Sequence, residues 1–134
     1  MELTRSYKFS ASHQMFNPDL SAEENFDLYG HCAQDHGHSY KMEVTVSGSI
    51  DKQTGMILAA EDLDRIVHDA IIGSWDHRHL NHEVEDFRGK IVSSEAMLLA
   101  AWKRLSQNMN GFRLSKLRLV QTPNTYFEFR GEGL

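Results

Sequence analysis

The strongest constraint on how this chain folds is a strict alternation of apolar and polar residues in two separate stretches. From Leu3 to His13 one face carries Leu3, Tyr7, Phe9, Ala11 and His13, with Arg5 the exception, while Thr4, Ser6, Lys8, Ser10 and Ser12 form the other. From His36 to Ser47 the same period sets His36, His38, Tyr40, Met42, Val44 and Val46 against Gly37, Ser39, Lys41, Glu43, Thr45 and Ser47. A period of two belongs to a strand with one buried face, so two long half-buried strands are predicted. The residues between them, rich in Asn, Asp and Glu, read as a loop of roughly twenty residues, a length that in a small domain is usually functional or disordered.

The period then changes. Leu63, Ile66, Val67, Ala70 and Ile71 share one stripe of a helix predicted over Glu61 to Ile72, with Gly73 as its C-cap. Ser93 or Ser94 caps a second helix, with Glu95 in its first turn and Leu98, Ala101, Trp102 and Leu105 as its buried stripe. Two final strands follow, with Ser115, Leu117, Leu119 and Gln121 facing inward on one and Thr125, Phe127 and Phe129 on the other. Thr122-Pro123-Asn124 makes the turn between them. The order ββααββ predicts an α+β domain: a four-stranded antiparallel sheet with two helices on one face. Its exposed edges favour assembly through edge-to-edge pairing.

With 134 residues, no repeat and no composition break, the chain reads as a single domain over 1–134. Net charge is −5, and no basic run exceeds Lys103-Arg104, which excludes nucleic-acid binding as a main task. No stretch approaches the ~18 apolar residues of a membrane span. The N-terminus alternates where a signal peptide would be uniformly apolar. Cys32 is the only cysteine, so no internal disulfide forms and a cytoplasmic location is expected.

Three histidines give the alternation a chemical meaning. His36 and His38 point to the same face of one strand, and His13 ends the apolar face of the other. Antiparallel pairing brings the end of the first strand beside the start of the second, so three imidazoles converge. Three histidines with an open fourth position make a catalytic zinc site. Cys32, in the loop entering the second strand, is a fourth ligand, a buried small hydrophobe or a reactive thiol. Asp76 beside His77 is suited to orient an imidazole, while His31, His68 and His82 read as surface residues.

Together these residues resemble the 6-pyruvoyltetrahydropterin synthase / 6-carboxytetrahydropterin synthase family. The likeness runs through Phe9-Ser10-Ala11-Ser12-His13, Cys32-Ala33-Gln34-Asp35-His36-Gly37-His38-Ser39-Tyr40, Thr54-Gly55-Met56-Ile57, Asp76-His77, Ser93-Ser94-Glu95 and Val120-Gln121-Thr122-Pro123. The resemblance implies the tunnelling fold, whose ββααββ units join through sheet edges into a barrel-forming trimer, two of which make a hexamer. It implies zinc on His13, His36 and His38, Cys32 as the catalytic thiol, and Asp76 with His77 as a proton-transfer group. It implies a lyase acting on 7,8-dihydroneopterin triphosphate without a redox cofactor. The product is 6-pyruvoyltetrahydropterin, on the route to tetrahydrobiopterin, or 6-carboxytetrahydropterin, on the route to queuosine. The spacing Cys-x-x-x-His-Gly-His resembles the carboxy branch, whereas Ser21-Ala22-Glu23-Glu24-Asn25 and the stretch from Ser47 to Met56 resemble the pyruvoyl branch. Ser93, Ser94 and Glu95 match the substrate-binding start of the second helix.

Gln121 departs from the family, which places there a glutamate that accepts two hydrogen bonds from the pterin ring. An amide offers one acceptor oxygen and two donors, so it does not reproduce that pattern. Two alternatives follow: a paralogue with an altered pterin-like substrate, or a non-catalytic protein binding zinc and a pterin. Intact Cys32, Asp76 and His77 argue against the second.

Overall fold

In the computed structural model, which describes residues 1–134, β1 (Glu2–His13) and β2 (His36–Ser47) pair antiparallel without a break, from Glu2 opposite Ser47 to His13 opposite His36. β4 (Arg113–Thr122) adds antiparallel to β2, and β5 (Thr125–Phe129) adds antiparallel to β4. On the far side of β1 lies β3 (Arg78–His79), parallel to it at Ala11 and Ser12. The sheet is therefore five-stranded and mixed, in the order β3-β1-β2-β4-β5, where the alternation predicts four antiparallel strands. A two-residue strand is too short to show a period. Asp76 and His77 anchor its approach: the Ser10 N–H donates to Asp76 Oδ1 (2.9 Å), and the His77 N–H donates to the Ser10 carbonyl (2.6 Å).

One face of the sheet carries the core. Phe9 and Ala11 of β1, Tyr40, Met42, Val44 and Val46 of β2, and Leu117 and Leu119 of β4 are all buried there. Against them pack Leu63 and Val67 of α2 (Ala60–Val67), Trp75 of α3 (Gly73–Trp75), Leu80 of α4 (Leu80–Glu83), and Met97, Leu98, Ala101 and Leu105 of α5 (Ser94–Ser106). Phe9 stacks on Tyr40 at 5.1 Å and meets the edge of Trp75 at 6.1 Å. The opposite face is polar, crossed by ion pairs of Glu128 with Lys116 and Arg118.

Four local expectations are corrected. Gly73 does not cap a helix. Its φ is −61°, and α2 runs through a π turn (His68–Ile72) into α3, an extra residue per turn that lets Ile71 and then Trp75 reach the core. The loop before β2 contains α1 (Ala22–Tyr29), opened by a capping box in which the Glu24 N–H donates to Ser21 Oγ and the Ser21 N–H to the Glu24 carboxylate. A β-bulge opposite Thr45 and Val46 turns Ser115 out of the core, so Leu114 is buried in its place, and the Ser115 hydroxyl donates to the Thr45 carbonyl. At the hairpin, Phe127 and Phe129 pack against the core as expected, but Thr125 is exposed. No helix is long and apolar enough to cross a membrane.

Candidate active site

The register of β1 and β2 assembles the site. His13 lies opposite His36, and Ala11 lies opposite His38, so the three rings meet at one end of the sheet on its core face. Ring centroids are 4.5 Å (His13–His36), 5.6 Å (His13–His38) and 5.1 Å (His36–His38) apart. One nitrogen from each ring lies within 4.8 Å of the others.

Hydrogen bonds decide which nitrogens are available. His13 Nδ1 is 2.7 Å from the Val92 carbonyl, which only accepts, so Nδ1 carries the proton and the lone pair sits on Nε2. His36 Nδ1 likewise donates to the Gln34 carbonyl at 2.8 Å. Carbonyls behind metal-binding histidines fix tautomer and ring orientation in this way. His13 is 3% exposed, and its Nε2 is buried with no partner, a costly arrangement unless something meets that lone pair. Burial holds the His13 pKa down at about 4, with His36 and His38 pushing the same way against the Val92 carbonyl. Burial and then His36 also lower that of His38. Neutral imidazoles are the form a metal ion needs. The residues thus fit a divalent metal, with one ring nitrogen available from each of the three histidines.

Neighbouring side chains hold the site in place. Asn81 closes the end of β1 by pairing with Gln14 through both its amide groups (2.9 and 3.0 Å). Ser93 is the N-cap of α5, its hydroxyl accepting from the Ala96 N–H. Ser94 is buried and donates to Gln121 Oε1 at 3.1 Å. Gln121 Nε2 lies 3.3 Å from His38 Nε2, so Ser94 and Gln121 join the triad. Glu95 is exposed in the first turn of α5.

The remaining expected residues are placed differently. Cys32 is exposed in a 3-10 turn (Gly30–Ala33), which removes the buried-hydrophobe alternative, and it is not one of the converging donors. Its carbonyl accepts from the Met15 N–H at 2.7 Å, tying the turn to the end of β1. Asp76 spends one oxygen on the Ser10 N–H, and its other stands 3.6 Å from His77 Nε2, an ion-pair distance too long for a hydrogen bond. His77 has a left-handed backbone (φ 59°) and a side chain 81% exposed. It lines a shallow depression with Ser10, Ser12 and Ser39, of the polar side of the alternation, and with His38. Within one chain, His77 is not one of the three converging donors. A closer Asp–His contact joins Asp35 and His79 (2.9 Å), with His82 stacked on His79 at 4.3 Å. The forty-four-residue separation of Asp35 and His79 hid that contact from the sequence.

The family model for 6-pyruvoyl tetrahydropterin synthase matches residues 2–132. Human 6-pyruvoyl tetrahydrobiopterin synthase is 35% identical over 98% of this chain and 92% of its own. The chain belongs to this family. A 6-pyruvoyl tetrahydropterin synthase structure from Caenorhabditis elegans superposes with a TM-score of 0.89 at 28% identity, covering 98% of this chain and 95% of that one. A 6-carboxy-5,6,7,8-tetrahydropterin synthase from Haemophilus influenzae is 24% identical over 83% of this chain and 97% of its own. The chain is thus a tetrahydropterin synthase family member, related to enzymes of pterin biosynthesis.

Proposed function

We propose that this protein is a zinc-dependent lyase that converts 7,8-dihydroneopterin triphosphate to 6-pyruvoyltetrahydropterin with release of triphosphate. The observation that carries the metal dependence is the convergence of His13, His36 and His38 with the His13 Nε2 lone pair buried and unmet. Three neutral nitrogens suit zinc among divalent ions. When bound there, zinc supplies Lewis acidity toward the substrate's side-chain oxygens, acidifying neighbouring C–H and O–H groups.

The chain's own groups then move the protons. Cys32, exposed on the turn tied to β1, takes one as thiolate. His77, beside Asp76, carries another. Ser93, Ser94, Glu95 and Gln121 form the wall where the pterin ring would lie, close to a helix N-terminus suited to polar ligand atoms. Because His77 is not one of its own chain's converging donors, the reading includes completion of each site by a neighbouring copy in a homo-oligomer, a trimer or dimer of trimers. The unpaired outer edge of β1 over residues 2–9 and the outer edge of β5 are the surfaces through which such rings would close.

A second outcome, 6-carboxytetrahydropterin with loss of acetaldehyde, is favoured by the Cys32-x-x-x-His36 spacing. Full-length similarity to a pyruvoyl synthase favours the first. Mass analysis of the products formed by zinc-loaded protein from 7,8-dihydroneopterin triphosphate separates them. Formation of 6-pyruvoyltetrahydropterin and triphosphate is expected, a carboxy product with acetaldehyde would transfer the assignment to the second outcome, and absence of either would overturn both. Cys32→Ala should lower turnover by about 10²- to 10⁴-fold while zinc content stays unchanged.

A further inference from the structure

The stretch that carries Asp76 and His77 is held at both ends by one side chain of another helix. Arg104, in α5, donates through Nη1 to the Ala70 carbonyl (2.8 Å) and to Ser74 Oγ (2.7 Å). Through Nε (2.9 Å) and Nη2 it donates to the two carboxylate oxygens of Asp86. Ala70 belongs to the π turn and Ser74 to α3, just before Asp76, while Asp86 lies in a 3-10 turn (Glu85–Phe87) that follows α4. The guanidinium also stands 5.9 Å from the centre of the Trp75 ring, which packs on Phe87 at 5.3 Å.

A planar guanidinium carries its donors at fixed angles, so it sets distances that a flexible ammonium does not. Here one side of it takes a carboxylate and another takes two acceptors from the opposite flank. The two side chains are only 27% and 23% exposed. An ion pair so sheltered often adds no more stability than apolar side chains of the same size. What apolar contacts would not supply is its geometry.

That geometry fixes the segment between the flanks. The Ser74 hydroxyl, which accepts from Arg104, donates onward to the Ile71 carbonyl (3.3 Å), and the Asp76 N–H donates to the Ile72 carbonyl (3.0 Å). These bonds run from the π turn to the residue before His77. The chain then pairs with Ser10 of β1 and passes through the left-handed backbone of His77. A residue with a Cβ holds that conformation only where its surroundings impose it. The Ser10 bonds act on the turn itself, and Arg104 sets where the segment departs and where it returns. We propose that Arg104 is a positioning residue for the Asp76–His77 pair, clamping the π turn to the Glu85–Phe87 turn so that the His77 imidazole is presented in one place. This rests on the reading above, in which His77 carries a proton, and adds the group that sets where the imidazole stands.

The test uses zinc-loaded, full-length Arg104→Met, which keeps the apolar stem and removes every donor. Its kcat should fall by roughly 10- to 100-fold, with KM and zinc content unchanged, because a displaced catalytic group slows the reaction without loosening the substrate. Amide hydrogen exchange should quicken from Asp76 to Leu80 and stay as in wild type along the β1–β2 ladder. Asp86→Asn, which weakens one flank only, should show the same pattern to a smaller degree and stands in if the methionine variant folds poorly. Mixing locates the defect. Reassembled with Cys32→Ala chains, which supply an intact His77, Arg104→Met chains should recover about a quarter of wild-type activity. Reassembled with His77→Ala chains, they should recover no more than their own residual activity. The opposite pattern would place the defect at the thiol and metal half and overturn the proposal, as would a loss confined to KM. If Cys32→Ala and His77→Ala chains fail to restore each other, the exchange between subunits is wrong. The kcat and hydrogen-exchange results then decide: a loss in kcat alone with faster exchange from Asp76 to Leu80 sustains the positioning role, and unchanged exchange there overturns it. Wild-type protein inactive on 7,8-dihydroneopterin triphosphate would overturn the assigned reaction and this role with it.

Discussion

At the scale of single residues, His13 joins stability to metal readiness. Burial first, and then the neighbouring imidazoles, keep its pKa at about 4, while an unfolded chain takes up the same proton near 6.5. Between those values the unfolded state binds more protons, so stability is fully present above about pH 6.5 and is lost as pH falls toward 4, levelling below that. The loss amounts to at most about 3 kcal/mol for this one group. Urea unfolding of metal-free protein from pH 8 to 4 should show the decline, and His13→Gln should flatten it; parallel curves for the two proteins would contradict the account. The triad itself was legible in the sequence because strand periodicity fixes which side chains share a face. What stood behind it was not. The carbonyls of Val92 and Gln34 orient His13 and His36, but a backbone carbonyl has no residue-specific signature. Asp76–His77 is adjacent in sequence, yet adjacency said nothing about the left-handed turn at His77, whose ring stays largely in solvent.

Among the elements, α1 shows most clearly what periodicity misses. Its Phe26 and Leu28 are exposed, so no apolar stripe marks it. The pattern Ser21-x-x-Glu24 was the signal present, a capping box that satisfies helix-end N–H groups locally. The helix is held by a polar side chain: Asn25, fully buried, donates to the carbonyls of Asn17 (3.0 Å), Leu20 (3.3 Å) and Ser21 (2.9 Å) and accepts from the Asn17 N–H (2.7 Å). Asn25→Ala leaves those groups unpaired and should cost about 1–3 kcal/mol, whereas Ser21→Ala should cost about 1 kcal/mol. Both losses belong to the segment leading to Cys32. Amide hydrogen exchange should therefore accelerate across α1 in both variants, more in Asn25→Ala, while the β1–β2 ladder keeps its protection. Uniform acceleration across the sheet would show that α1 is part of the global core. The long strands and both principal helices were readable because each buries one continuous face. The π turn, the bulges at Ser115 and Gln121 and the two-residue β3 were not, because each interrupts a period.

For the whole molecule, the decisive fact is that the proposed machinery has two halves, and His77 stands outside the converging donors. His13, His36 and His38 come together, while His77 lines a depression with Ser10, Ser12, Ser39 and His38 and keeps most of its side chain in solvent. On the proposed assembly, in which the His77 of one copy completes the site of another, chains disabled in different halves should restore each other. Cys32→Ala and His77→Ala are each expected to be nearly inactive. When the two are mixed equally and reassembled at random, a site is whole if its thiol comes from a His77→Ala chain and its imidazole from a Cys32→Ala chain. Each condition holds half the time, so about a quarter of wild-type activity should return. If both groups act within one chain, no mixed site ever holds the pair, and the mixture stays as inactive as its components. Sedimentation of the mixture shows that the copies have assembled, so a silent result then places Cys32 and His77 in the same subunit's site.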